Sequence, residues 1–546
     1  MRSINHTLGL QCKVALFLLL LSVASLPAAA QYFGRNKVVY EKFDFKVTQS
    51  PHFDLYNYLR DTEDKQWFSQ VTEQWYSMHQ RVLRDTFKQR NPFILYLHHA
   101  HFQQTRAIGG QIDVGTGGVT EALKNRVIMP LFEANAQTDH VLGHELVHAF
   151  QYHLVQDSFS LNALNNLPLW MVEGMAEYMS IGHIDPNTAM WLRSAVQNDK
   201  LPTLKDLTNR PDLYFPYRWG EAFWAYVTGR YGDTVIRRLF LETARRGYAD
   251  AIRTVFKVDE KQFSQQWQEA IRSAFAPMQP GMQSAPTGRA LLHQKNAGDL
   301  NIIPSFSPDG RYVAFWTEKN LFSLDLYIAD AETGRSVERI TKTSLGAHVD
   351  QYSSFESAVA WAPDSRRIAF VAFAKGRNRL LIANTSGKIQ EEIDLPGITG
   401  FSNPVWSPDG NTIVVTGMNE GQSDLFAYNL QTRAMRQLTN DIYSDLMPSF
   451  SPDGKTLVFA TDRMSIGNTR VKHVFTHNLA LLDMASGSVT NLDVFPGANN
   501  LNPVFGKDNN LVYFLSDRDG FRNMYSYNRD SRQILQLTKL FTGISG

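Results

Sequence analysis

Pro404-Val405-Trp406-Ser407-Pro408-Asp409-Gly410 decides the architecture of the C-terminal half, because it recurs. Copies stand at Pro304-Ser305-Phe306-Ser307-Pro308-Asp309-Gly310, at Ala360-Trp361-Ala362-Pro363-Asp364-Ser365 and at Pro448-Ser449-Phe450-Ser451-Pro452-Asp453-Gly454, with a worn copy at Pro503-Val504-Phe505-Gly506-Lys507-Asp508. Their aspartates lie 55, 45, 44 and 55 residues apart. Each copy reads as a strand entering a tight turn, in which Pro presets φ while Asp and Gly accept the reversal. An apolar strand such as Thr456 to Ala460 follows, then a third such as Asp424 to Asn429, then an outer one ending in Leu-Thr, as at Leu438-Thr439 and Leu537-Thr538. Repeats of this length built from short strands predict a β-propeller over residues 289–546. Five repeats are visible. Thr287 to Leu292 reads as the outer strand of another blade whose inner strands would lie beyond Gly546, so six blades are the expectation if the chain runs on.

Upstream, Ala276 to Gly288 (APMQPGMQSAPTG) has no period and is rich in Pro, Gly and Ser, which marks a linker at 277–288. Residues 31–276 mix short strand-like runs (Lys37 to Val47, Phe53 to Tyr58, Phe93 to Leu97, Val127 to Phe132) with segments of helical period such as Thr62 to Arg84 and Trp219 to Tyr231. That pattern predicts an α+β domain with a small sheet. At the start, Arg2 and Lys13 precede an apolar run from Val14 to Leu26, and Ala28-Ala29-Ala30 offers a cleavage site, so residues 1–30 read as a secretory signal. The run is too short to span a bilayer. Cys12, the only cysteine among 546 residues, would leave with it. With 54 Lys+Arg against 53 Asp+Glu the chain is near neutral, which argues against binding nucleic acid or an anionic membrane through bulk charge. The expected product is exported, periplasmic or extracellular, without a transmembrane segment.

Without cysteine, a metal site has to use His and carboxylate ligands. Asp139-His140-Val141-Leu142-Gly143-His144-Glu145-Leu146-Val147-His148 holds His-Glu-x-x-His on a helical pattern. The i, i+4 spacing puts His144 and His148 on one face, able to grip one zinc ion, with Glu145 toward its open side. His140 could pair with His144 instead, but no base would then be suitably placed. His98-His99-Ala100-His101 follows a strand and reads as a solvated turn. After a Ser/Asn-rich loop, Pro168 opens a second helix, Leu169-Trp170-Met171-Val172-Glu173-Gly174-Met175-Ala176-Glu177-Tyr178. Unpaired carboxylates in so apolar a segment would be costly, so Glu173 and Glu177 are expected to be ligating or paired.

The repeats resemble the TolB-like propeller family. The W-x-x-E-G-x-A-E-Y segment, 25 positions after His148, resembles the glutamate-ligand helix of gluzincin metallopeptidases and the related peptidase MA-like families. The resemblance implies a zincin-like α+β domain with Zn2+ held by His144, His148 and Glu173, Glu145 as the catalytic base, and Glu177 orienting a ligand histidine. A zinc so held keeps a place for water and lowers its pKa, and Glu145 takes the proton as that water attacks a peptide carbonyl. Tyr217-Arg218-Trp219-Gly220 resembles the Tyr-x-x-Gly of aminopeptidase-N-like enzymes and implies Tyr217 as oxyanion donor, with Tyr214 and Tyr226 as rivals. Small Gly174 and Ala176 would let the two zinc-binding helices approach closely. Arg126 to Phe132 is the expected edge for an extended substrate. The Gly-x-Met-Glu-Asn segment that holds a free N-terminus in those aminopeptidases is absent, and Gly115-Thr116-Gly117-Gly118 in the comparable stretch carries no charge. An endopeptidase or oligopeptidase acting on peptide or protein is therefore expected, with the propeller docking substrate or an envelope protein. The alternative is an envelope scaffold whose peptidase domain is inactive. No Gly-x-Ser-x-Gly elbow supports a serine hydrolase.

Overall fold

The computed structural model describes residues 39–545 except 321–322, 342–350, 354–356, 420, 468–469 and 472–473. The expected signal, Cys12 and the first residues of the Lys37 to Val47 run lie outside the described residues. Tyr40 onward forms a single unit.

Strands β1 (Lys46–Gln49), β2 (Phe53–Asn57), β3 (Asn91–Tyr96), β4 (Val119–Glu121) and β5 (Arg126–Pro130) form a sheet of order β1-β2-β3-β5-β4. β2, β3 and β5 are parallel, while β1 and β4 run antiparallel at the two edges. The crossover from β2 to β3 is helix α1 (Thr62–Leu83), which Asp61 caps by accepting the Glu63 N–H and which Arg84 ends in the left-handed region. A single turn, α2 (His99–Phe102), follows β3, and the long helix α3 (Asn135–Ser158) follows β5. Alternate residues Phe53 and Leu55 of β2 and Phe93 and Leu95 of β3 point inward, where they share a core with Phe68, Val71 and Trp75 of α1 and with Leu142, Leu146 and Phe150 of α3. Helices α4 (Leu169–Ile181), α5 (Pro186–Gln197), α6 (Leu204–Asn209), α7 (Pro216–Tyr231), α8 (Thr234–Arg246), α9 (Tyr248–Phe256) and α10 (Glu260–Phe275) complete this half. No helix of the described residues is long and apolar enough to cross a membrane.

The edge of the sheet is not where the sequence places it. Arg126 to Phe132 contains β5, which is flanked on both sides; the edge next to α3 is β4, three residues long. His98, His99 and His101 are also not solvated: the propeller covers the first two, with His98 Nε2 2.7 Å from Thr399 Oγ1 and His99 against Phe373, while His101 Nδ1 meets Tyr58 OH at 2.8 Å within the N-terminal half.

The rest of the chain is a propeller of five blades, each a four-stranded antiparallel sheet, except that the inner strand of the second blade is in two pieces. In the third blade the strands are Gly400–Trp406, Thr412–Asn419, Gln422–Asn429 and Met435–Gln437. The Ser-Pro-Asp-Gly turn is held by its own side chains. Asp409 Oδ1 accepts from Ser407 Oγ (2.5 Å) and from the Asn411 N–H (3.0 Å), and Gly410 takes φ +78°. The first and fourth blades repeat this through Ser307-Asp309 and Ser451-Asp453. A bulge interrupts the inner strand before the motif proline in four blades, with Ile303, Asn403, Met447 and Asn502 at positive φ.

Apolar clusters join blade one to two, two to three, three to four and four to five. No sixth blade occurs among the described residues, and Thr287 to Leu292 is not a strand. Leu291 and Leu292 instead pack with Ala297 on Phe315 and Tyr327 of the first blade, while Gln283 forms a parallel bridge to Leu540 after the fifth. Lacking strand partners of its own, the linker binds both ends of the array.

The two halves are joined by buried polar contacts. Arg470 pairs with Asp64 and lies 4.0 Å over the Trp67 ring. Arg193 Nη1 donates to Gly520 O (3.1 Å) and its guanidinium covers Phe521 at 4.4 Å. Helix α3 has no side-chain cap of its own, since Ala134 occupies that place. The propeller supplies one: Ser444 Oγ accepts the Asn135 N–H (2.8 Å), and Asp462 Oδ2 accepts from Asn135 Nδ2 (3.0 Å).

Candidate metal centre and catalytic groups

α3 carries His144 and His148 one turn apart, and α4 packs across it with Glu173. His144 Nε2 and His148 Nε2 are 3.1 Å from each other and 3.3 and 3.2 Å from Glu173 Oε2. A tetrahedral zinc with arms of about 2.0–2.1 Å has ligand-to-ligand edges of about 3.3–3.4 Å, so this triangle has the size of one face of such a site. The outer nitrogens are held as well. His144 Nδ1 lies 3.1 Å from Glu177 Oε1 as an ion pair, and His148 Nδ1 donates to Gln151 Oε1 (2.9 Å), whose Nε2 in turn donates to Val172 O on α4. Both rings therefore turn Nε2 toward the centre, the nitrogen that would bind a cation once its proton is lost.

With no cation present, the carboxylates favour protons on the imidazoles. Burial alone would lower His144, but Glu173 and Glu177 outweigh it and raise it to about 10. His148 is raised in the same way, chiefly by Glu173 against burial. Burial opposes ionisation of Glu173 and Glu177, yet their histidine partners hold both well below the usual carboxylate range.

Glu145 is buried beside this triangle. Thr120 Oγ1 of β4 donates to Glu145 Oε2 (2.6 Å), and a Cβ on Gly118 would fall 2.8 Å from Glu145 Oε1, so the glycine stretch leaves room for the carboxylate. Tyr217 stacks on the His144 ring (5.8 Å, 14°), and its phenol is raised by burial first and then by the nearby Glu173 carboxylate. Tyr214 packs against Trp219, and Tyr226 accepts from Arg230; neither is brought to the triangle. Tyr152 is: its ring lies over His148 (6.2 Å, 17°), and burial, with Glu145 and Glu173 nearby, pushes it to about 12.

His140 Nε2 reaches Glu177 Oε1 (3.1 Å), so His140, His144 and Glu177 form a second convergent trio. Glu177 is further tied by Arg218 Nη1 (3.1 Å), which also reaches Asp185 Oδ2 (3.1 Å). Tied to an arginine and two histidines, Glu177 is better suited to orient a ring than to ligate. Gly174 does not bring α3 and α4 together: it faces α7, where a Cβ would fall 2.2 Å from Gly220 Cα. Thr120, Gln151, Tyr152 and Arg218 carried no motif. Only Tyr152 had a usable signal, one further turn along the His144-His148 face. A third acidic trio, Asp424, Asp441 and Asp445 in the propeller, is bridged by Arg463, which joins Asp441 and Asp445.

Residues 81–273 match the Peptidase MA superfamily, and residues 348–478 match the TolB beta propeller domain. The chain thus joins a helix-rich peptidase MA-like domain to a TolB-like propeller of five blades. It is similar to the uncharacterized peptidase YuxL of Bacillus subtilis (strain 168), 27% identical over 29% of this chain and 29% of that one. It is also similar to the Tol-Pal system protein TolB of Francisella tularensis subsp. mediasiatica (strain FSC147), 28% identical over 39% of this chain and 45% of the relative. The chain therefore spans less than half the length of these curated relatives. Among solved structures, putative TolB from Agrobacterium tumefaciens aligns over 46% of this chain and 83% of its own with 17% identity and a TM-score of 0.37.

Proposed function

We propose that the chain is an exported zinc-dependent metallopeptidase of gluzincin type, an endopeptidase or oligopeptidase, whose propeller holds substrate or an envelope partner. The observation that carries this reading is the convergence of His144 Nε2, His148 Nε2 and Glu173 Oε2 at 3.1–3.3 Å beside the Glu145 carboxylate. A zinc ion there would polarise the scissile carbonyl and acidify a water molecule. Glu145, fixed through Oε2 by Thr120, offers Oε1 to take the proton of the attacking water and return it to the leaving amine. Tyr217 and Tyr152, both kept protonated, can donate to the developing oxyanion. Glu177 and Gln151 hold the two rings in the tautomer that binds metal. The unpaired side of β4 offers backbone groups to an extended peptide, which favours cleavage within a chain. Export rests on the leader-like first thirty residues.

The test is a metal-content assay beside a peptide-library digest, on wild type and Glu145→Gln. About one zinc per chain in both, with hydrolysis by wild type at least about 10³-fold faster, is the expected result. Zinc binding without cleavage by either would sink the enzymatic reading and favour a scaffold.

A further inference from the structure

Between the inner strands of the second to fourth blades and the start of α3 lies a cavity of about 340 Å³, within the range that small ligands occupy. Leu131, Phe132, Phe373, Phe401 and Met418 give it an apolar wall. Asn403 and Met447, the bulged residues of blades three and four, face it from the propeller side. Bulges re-aim side chains next to functional sites. Two polar atoms on its lining residues, Asn378 Oδ1 and His98 Nδ1, belong to side chains more than nine-tenths buried and have no hydrogen-bond partner among the described residues. Burial holds His98 well below the ordinary histidine value, so that ring is neutral near pH 7. Both atoms are themselves covered, so the apolar wall sets what the cavity accepts.

The cavity lies along α3 from the histidine pair. Gln137, exposed at its rim, shares one face of α3 with Val141, His144 and His148, at i, i+4, i+7 and i+11. Phe132 lines the cavity and lies 3.8 Å from where a Gly117 Cβ would stand, one residue before the Gly118 that touches Glu145. From Gln137 to His144 the helix rises about 10 Å, the reach of about three residues of extended peptide.

Resting on the peptidase reading above, we propose that this cavity is a substrate pocket built jointly by the two halves of the chain. It takes a bulky, mainly apolar side chain, such as Phe, Tyr, Trp or Met, about three residues from the scissile bond. The propeller then selects which bond is cut, by reading a residue the peptidase half does not reach alone.

Two measurements on the full-length protein separate this proposal from the reading beneath it. First, decapeptides carrying p-benzoylphenylalanine at successive positions are irradiated with Glu145→Gln. Crosslinks to Met418 or Met447 from one position only support the pocket, and crosslinks that never reach the propeller overturn it, whether or not the wild type cleaves. Second, zinc-loaded wild type should prefer Phe to Ala at that position by tenfold or more in kcat/KM, and Gln137→Trp, which fills an exposed rim, should bring the ratio toward one. An unchanged ratio in Gln137→Trp overturns the pocket while leaving the peptidase intact. Absence of any hydrolysis by wild type overturns the peptidase reading itself.

Discussion

The site is governed by hydrogen bonds that fix orientation. Thr120 is the clearest case, since its hydroxyl bonds Glu145 Oε2 (2.6 Å) and lies 3.0 Å from the Glu145 backbone carbonyl, fixing the carboxylate that the proposed mechanism uses as base. A hydrogen bond to a charged group contributes about 1.5–3 kcal/mol. Thr120→Val is therefore expected to lower kcat by about 10- to 100-fold with little change in zinc content, measured by steady-state kinetics beside metal analysis. A second consequence concerns protons. A histidine raised to about 10 contributes stability that is present below its ordinary value near 6.5 and is lost as pH climbs through about 10. The depressed Glu173 and Glu177 contribute above the ordinary carboxylate value near 4.3 and lose that contribution as pH falls. The metal-free site is thus best satisfied between about pH 4.5 and 6.5, with His144 protonated. Zinc needs that imidazole neutral, so at pH 7 its binding should release at least one proton and tighten by about tenfold per pH unit. Calorimetry in buffers of different ionisation enthalpy reads this directly, and equal heats in all of them would refute it.

At the level of elements, what the sequence discloses and what it conceals divide along physical lines. The propeller was legible because Ser, Pro, Asp and Gly each have a local duty in the turn, and local duties repeat. His144, Glu145 and His148 were legible because helical spacing alone places them. β4 was not, because three residues are too few to show alternation, and β5 carries the stronger apolar signal. His98 to His101 misled for a different reason: their burial comes from residues distant in sequence, Thr399 and Phe373 of the propeller and Tyr58 after β2, which no local pattern encodes. Gly174 shows a midway case: with Ala176 it reads as letting α4 approach α3, and the close approach is real but made to Gly220 of α7. A Cβ on Gly220 would stand 1.9 Å from Trp170 O and 2.7 Å from Gly174 Cα, so α4 and α7 would have to part. Gly220→Ala should cost about 1–3 kcal/mol or more in urea unfolding. It should also lower turnover more than the stability loss explains, because α7 carries Tyr217. A variant with wild-type midpoint and rate would contradict that packing.

At the scale of the molecule, helix α3, which carries His144 and His148, starts on the propeller. Ser444 satisfies the first backbone N–H of α3, a duty that Ala134 cannot perform, and Asp462 holds the Asn135 side chain. Ser444→Ala should remove a cap contributing about 0.5–2 kcal/mol. Hydrogen exchange is expected to rise in the first turn of α3 and to stay unchanged in α1, and protection equal to wild type across α3 would refute the coupling. The buried Arg470-Asp64 pair and Arg193 on the fifth blade distribute the same dependence over the interface. Domain shuffling is usually imagined as exchanging an adaptor while keeping an engine. Here a lineage that swapped or shed its propeller would hand down a frayed catalytic helix with it, so the two halves are bound to be inherited, duplicated and lost together.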